Sequence, residues 1–111
     1  MPSPRFPIPQ GTLDMLILQI LSLGAAHGYG IAQRLEQISR SVVRVNEGSL
    51  YPALHRLEEQ GFLESEWKAS ENNRRARYYE LTRTGRKRLQ DIEDEWRTHT
   101  AVIERFLAFE E

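Results

Sequence analysis

The chain has 111 residues, 40% of them apolar and 28% charged, with 15 Lys and Arg against 16 Asp and Glu for a net charge of −1. That is the length of one ordinary domain and the composition of a globular chain, and the charge balance excludes a protein that coats nucleic acid indiscriminately. No cysteine is present, which excludes a disulfide framework and thiolate chemistry.

No apolar run of signal-peptide type occurs, and none approaches the roughly 18 residues that would span a bilayer. The expectation is a cytoplasmic protein with no membrane role.

Residues 1–9 form a proline-rich arm, with prolines at 2, 4, 7 and 9. Such density favours an extended, polyproline-like course. Phe6 and Ile8 are candidate tethers and Arg5 a candidate minor-groove contact; the other reading is a mobile tail. A helix is predicted to open near Thr12 and stop at Gly24. Leu13, Leu16, Ile17, Ile20 and Leu21 repeat at helical spacing, with Leu18 off that stripe, so this helix should be the centre of the core. His27-Gly28-Tyr29-Gly30 is a tight connection into a second helix with Ile31, Leu35 and Ile38 as its buried stripe. Ser39 to Ser41 end it. Val42, Val43 and Val45 suggest a short strand or an extended turn.

Asn46 to Gly61, NEGSLYPALHRLEEQG, reads as a helix with a defined start and stop. Asn46 and Ser49 are both candidate N-caps, and Gly61 is a natural C-terminal stop. Pro52 favours a start near Ser49, because proline is best tolerated in the first turn; a start at Asn46 forfeits one hydrogen bond. Leu50, Leu54 and Leu57 make the buried stripe, which turns Tyr51, Pro52, His55 and Arg56 outward or sideways.

Two alternating segments follow, Phe62–Lys68 and Ala76–Thr82, with Asn72-Asn73 as a hairpin tip. Thr84 then opens a long helix running toward Phe109. Its Leu89, Ile92, Trp96, His99, Ile103 and Phe106 recur at alternating steps of 3 and 4, a coiled-coil-like seam. A domain this small has little surface on which to bury so long a seam, so a two-fold contact with a second copy is expected. The alternative is that the helix folds back on its own core.

Charge is not spread evenly. From Arg74 to Arg88 stand seven basic residues and one acid, Glu80. That makes a local positive field on a nearly neutral molecule; the plainer reading is a solvated loop and helix start.

Three helices followed by a hairpin is the winged helix-turn-helix plan, with a recognition helix for the major groove. The residues also resemble the PadR-type transcriptional regulators. The resemblance is carried by His27-Gly28-Tyr29-Gly30-Ile31, by Gly48-Ser49-Leu50-Tyr51-Pro52-Ala53-Leu54 with Arg56-Leu57-Glu58 and Gly61-Phe62-Leu63, and by Arg77-Tyr78-Tyr79-Glu80-Leu81-Thr82 with Gly85. It covers roughly residues 10–90 in collinear order, and the last helix resembles the short-tailed subgroup. The expected fold is mainly α with a small β-hairpin wing. The expected domains are the arm (1–9), a winged helix-turn-helix DNA-binding domain (10–82) and a C-terminal dimerisation helix (83–111).

The resemblance implies a homodimeric repressor on a pseudo-palindromic operator in double-stranded DNA, released by a small hydrophobic or aromatic effector. It also implies that Trp96 lines a cavity at the dimer interface. The family's wing tip usually has glycines where Asn72-Asn73 stand here.

Phosphate neutralisation supplies much of the affinity for DNA. Candidates for it are Arg74, Arg75 and Arg77 on the wing, with Arg40 and Arg44 before the recognition helix. The Tyr51 hydroxyl is a candidate positioning contact. Base-edge readout falls to Ser49, His55 and Arg56; Arg56 has the alternative of pairing with Glu59 or bonding Gln60. Glu47 has two readings, accepting from a cytosine amino group or capping. Glu58 and Glu59 should face away from DNA. Trp96 is either a knob in the dimer seam or a wall for a flat ligand.

No catalytic role is expected. His27, His55 and His99 stand in separate elements, and neither a metal-ligand spacing nor a glycine-rich phosphate loop is present, so no cofactor or metal is expected. The rival reading is a winged helix that binds protein as an adaptor rather than DNA.

Overall fold

The computed structural model describes residues 10–110 of the chain. The elements in order are α1 (Gln10–Leu21), β1 (Ala26–His27), α2 (Gly28–Ile38), α3 (Glu47–Glu59), β2 (Leu63–Ala69), β3 (Arg75–Leu81) and α4 (Arg83–Leu107). The winged helix-turn-helix plan is present: three helices, a hairpin and a long last helix. The arm, with the roles suggested for Arg5, Phe6 and Ile8, lies outside the described residues.

The core surrounds α1, which packs on α2, α3, α4 and β3. Ile17 and Leu18 are both fully buried. Leu18 lies off the periodic stripe and is buried with it, as expected of a central helix that is apolar nearly all round. In α2, Ile31 and Leu35 are buried, whereas Ile38, expected with them, is 58% exposed. It occupies the last helical position. Beyond the C-cap Ser39, Arg40 and Ser41 turn left-handed at φ 55° and 65°. The valines that follow join no ladder. The Val43 N–H donates to the Ser39 hydroxyl at 3.0 Å, and Val43 and Val45 pack on the core from an extended turn.

α3 begins at Glu47, not near Ser49. Asn46 is the N-cap: its Oδ1 accepts from the Ser49 N–H at 2.9 Å, and its carbonyl accepts from Leu50 at 3.0 Å. Pro52 therefore sits inside the helix. The missing proline N–H forfeits only the bond to Gly48, and the cap satisfies a first-turn donor that would otherwise be unpaired. At the far end Gly61 has φ +82°. The Phe62 N–H donates to the Leu57 carbonyl and the Gly61 N–H to Glu58, both at 3.0 Å, which is the Schellman arrangement.

The sheet has three strands in the order β1-β3-β2; the sequence had suggested the hairpin alone. β2 and β3 pair from Leu63↔Leu81 to Ala69↔Arg75, and β1 adds Ala26↔Tyr79 and His27↔Tyr78. At the tip Asn73 takes φ 58°, and the Ser70 N–H donates to the Arg74 carbonyl at 2.7 Å.

α4 opens at Arg83, earlier than the expected Thr84, with Thr82 as its cap. The Thr82 hydroxyl accepts from the Gly85 N–H at 2.9 Å and donates to the Gly61 carbonyl at 2.6 Å, tying the start of α4 to the end of α3. A side chain on Gly85 would sit 2.0 Å from the Phe62 carbonyl oxygen, so only glycine allows this approach. The expected dimer seam divides. Leu89 and Ile92 are buried in the chain's own core, and Trp96 packs partly against it. Leu89 and Ile92 are therefore spent on the fold, because the first part of α4 packs on α1. Further on, the helix projects and gives the molecule its 59 Å long dimension.

Candidate nucleic-acid interface

The interface is built from the start of α2. His27 is its N-cap, with Nδ1 accepting from the Gly30 N–H at 3.0 Å. The His27 ring meets Tyr78 edge-on at 5.1 Å between centroids. A Cβ on Gly28 would stand 2.8 Å from Cε1 and Oη of Tyr51, so the α3 tyrosine lies close on the first turn of α2, and a side chain at 28 would displace its ring from this position. The sequence His27-Gly28-Tyr29-Gly30 is thus the seat of Tyr51.

Tyr51, the start of α2 and the wing enclose a groove of about 570 Å³. Its walls include Tyr29, Gln33, Tyr51 and Trp67, with Arg74, Arg75 and Arg77 on the wing side. Glu71 is the single acid among its described lining residues. Trp67 is 56% exposed, with the Arg75 guanidinium 5.6 Å and the Arg77 guanidinium 6.0 Å from its ring centroid. Among the described residues Arg74 and Arg75 make no ion pair.

The other candidate residues are placed differently. Arg56 Nη2 donates to Asp14 Oδ1 of α1 at 2.5 Å, and both side chains are partly buried. This corrects the expected bond within α3: the arginine joins α3 to α1. Arg77 Nε donates to the Ser65 hydroxyl at 2.7 Å, and its Nη2 lies 3.3 Å from Glu58 Oε2. Arg44 pairs with Glu36 at 3.2 Å. Arg40, Arg44, Ser49 and His55 are exposed but line no part of the groove. His55 Nε2 lies 3.1 Å from Glu59 Oε1 one turn on. Glu58 turns to the base of the wing, where the Ser65 hydroxyl donates to it at 2.5 Å. That hydrogen bond, with the charge and hydrogen bonds of Arg77, holds the Glu58 carboxyl below its ordinary 4.5 against the opposing effect of burial. Burial pushes the neighbouring Tyr79 phenol up.

Tyr29, Gln33 and Trp67 were not singled out from the sequence as part of this site. A signal existed for Trp67. It shares a strand face with Leu63 and Ser65, yet lies farther out than α3 can cover, so its apolar ring could not all be core.

On the opposite side, Trp96 lines a second cleft of about 460 Å³ with Leu57, Phe62 and Ile92. The His99 ring stands edge-on to it at 5.5 Å. Ile103 is 45% exposed, Phe106 and Leu107 are 76% and Phe109 is 73%. Among the described residues no group of three His, Asp or Glu side chains is placed to hold a metal ion.

Comparison with known proteins agrees with the fold. The model of the transcriptional regulator PadR-like family matches residues 17–91. Transcriptional regulator Rv3488 of Mycobacterium tuberculosis is 43% identical over 65 residues, 59% of this chain and 57% of that protein. The structure of a transcriptional regulator from Clostridium thermocellum superposes with a TM-score of 0.80 at 31% identity, covering 87% of this chain and 94% of that one. A PadR family transcription regulator from Clostridium difficile gives a TM-score of 0.74 at 34% identity over 86% of this chain and 98% of its own.

Proposed function

This chain belongs to the PadR-like family of transcriptional regulators, and from that premise we propose that it is a homodimeric, sequence-specific repressor. It binds a pseudo-palindromic operator in double-stranded DNA and leaves it when a small aromatic or hydrophobic effector binds. The observation that carries the reading is the shared groove, in which Tyr51 of α3 and the unpaired Arg74 and Arg75 of the wing face one space. A helix front and a cationic hairpin set side by side suit a duplex, with the helix in the major groove and the wing along the backbone.

Arg74 and Arg75 neutralise phosphates, the Tyr51 hydroxyl donates to a phosphate oxygen, and Arg40 and Arg44 add charge before α3. Ser49 and His55 read base edges. The dimer forms through the projecting part of α4, where Ile103, Phe106, Leu107 and Phe109 are too apolar to stay in water as a group. The dimerising segment accordingly starts near Trp96, and the cleft beside Trp96 receives the effector. The same reading puts the protein in the cytoplasm; among the described residues no helix is long and apolar enough to cross a membrane.

Gel shifts on the DNA upstream of the protein's own gene, taken through a salt series, test the reading. Arg75→Ala weakens binding to all sequences and lowers the slope of log affinity against log salt by about one. An unchanged slope removes the wing assignment, and no binding at moderate salt removes the DNA reading.

A further inference from the structure

The wing is anchored unevenly. Its apolar anchors, Leu63, Tyr79 and Leu81, all lie toward its base. From Glu66 to Ala69 on β2, and from Arg75 to Arg77 on β3 apart from Ala76, the residues are exposed. Apolar packing therefore fixes the base and leaves the direction of the tip to polar contacts. Among the described residues, one polar side-chain joint connects the wing to α3: Glu58 of α3, Ser65 of β2 and Arg77 of β3 form a closed triangle. Ser65 donates to Glu58 at 2.5 Å, Arg77 Nε donates to Ser65 at 2.7 Å, and Arg77 Nη2 reaches Glu58 at 3.3 Å. Trp67 stands opposite Arg77 on β2, two residues nearer the tip than Ser65, and its ring centroid lies 6.0 Å from the Arg77 guanidinium and 5.6 Å from that of Arg75, which is farther toward the tip.

We propose that Glu58, Ser65 and Arg77 form a clamp that sets the wing against the recognition helix, so that Arg77 serves DNA binding by positioning Trp67 and Arg75 rather than by meeting a phosphate. The inference rests on the DNA-binding reading above. Charge-assisted hydrogen bonds are directional and stronger than neutral ones, and a closed network resists displacement better than its separate pairs. A cationic tip held in one orientation meets a phosphate without first having to be ordered. The groups facing the Glu58 carboxylate are Arg77 from β3, Ser65 from β2 and His55 from its own helix, with the Tyr79 phenol close by. The Ser65 bond, with the effect of Arg77, holds the carboxyl below its ordinary 4.5, so Glu58 is the ionised partner of the joint at neutral pH.

The clamp and simple electrostatics make opposite predictions for Glu58→Gln. Removing a carboxylate near a polyanion should tighten binding if only charge matters. If the clamp positions the wing, binding weakens, roughly five- to tenfold, the lower end of the usual coupling between sites. The experiment compares parent, Glu58→Gln, Arg77→Gln and the double variant by gel shift through a salt series on a duplex of about three helical turns. Thermal melts verify folding. Both single variants should weaken binding with the parent's salt slope, and the double variant should be no worse than either, because one joint is broken in all three.

A second measurement needs no DNA. In a Trp96→Phe background Trp67 is the one remaining tryptophan, and Glu58→Gln should shift its emission in the same direction as Arg77→Gln. Tighter DNA binding by Glu58→Gln, a slope lowered by one in Arg77→Gln alone, or Trp67 emission indifferent to Glu58→Gln each overturns the clamp. A parent protein that binds no duplex overturns the DNA reading instead, and Trp67 emission then still judges the clamp.

Discussion

The early turns of α4, around Leu89 and Ile92, and its last turns carry apolar residues at the same spacing and meet opposite surroundings. Leu89 and Ile92 are 7% exposed, closed in by the core around α1. Phe106, on the same seam, is 76% exposed, beside Leu107 and Phe109. α3 repeats the contrast within a shorter helix. Tyr51 and His55 face outward, while Arg56 is tied to α1 and Glu58 to the wing. A periodic pattern thus identifies a face of a helix without identifying its partner. One half of each helix builds the domain and the other half is left for something outside it.

The largest effect that separates the halves of α4 is expected from Leu89→Ala. Deleting most of a buried leucine costs about 2–5 kcal/mol, the loss of transfer energy plus the cavity left behind. Chemical denaturation should show that loss at every protein concentration. Phe106→Glu should act through assembly. Being exposed within one chain, Phe106 can change the stability of that chain by only about 0.5 kcal/mol. A charge placed in an apolar two-fold contact should weaken the dimer by about thirtyfold or more. Sedimentation of the parent should give the mass of two chains and that of the variant the mass of one. A variant that stays dimeric would move the contact off this end of α4, and the contrast between the two halves would lose its functional meaning.

Much of this division was legible in the sequence, for reasons visible in particular residues. The three helices, the hairpin and its turn at Asn72-Asn73 followed from apolar period and turn chemistry, because those signals are local. The start of α3 was misplaced because the two local signals there conflict. Pro52 argues for a late start and Asn46 for an early one, and only the folded helix shows that the cap prevails. β1 was missed because two residues have no periodicity; Ala26 and His27 become a strand only because β3 offers them an edge. In the candidate site, Arg74, Arg75 and Arg77 looked equivalent as a run of positive charge. Their separation depends on Glu58 and Ser65, which lie 19 and 12 positions from Arg77 along the chain. No reading of the run itself could have found those partners. The same holds for Arg56, whose partner Asp14 is 42 positions away.

The smallest expected effect sharpens the contrast inside α3. Glu58 titrates below its ordinary 4.5 because the Ser65 hydroxyl and Arg77 favour its ionised form. A carboxylate depressed on folding contributes stability that is present above 4.5, where it is ionised in both states. That contribution falls away as the pH drops through the lower folded value, where the unfolded chain already holds the proton. The contribution should be under about 1 kcal/mol, since the Arg77 side of the joint is open to water. Other carboxylates titrate in the same range, so the acid limb of the parent alone is not diagnostic. The informative quantity is the difference in unfolding free energy between parent and Glu58→Gln. It should be constant from neutral pH down to about 5 and shrink steadily below that. A difference that persists unchanged into acid would mean that Glu58 stabilises the fold through shape rather than charge. The inward half of α3 would then be held by packing, as the inward half of α4 is.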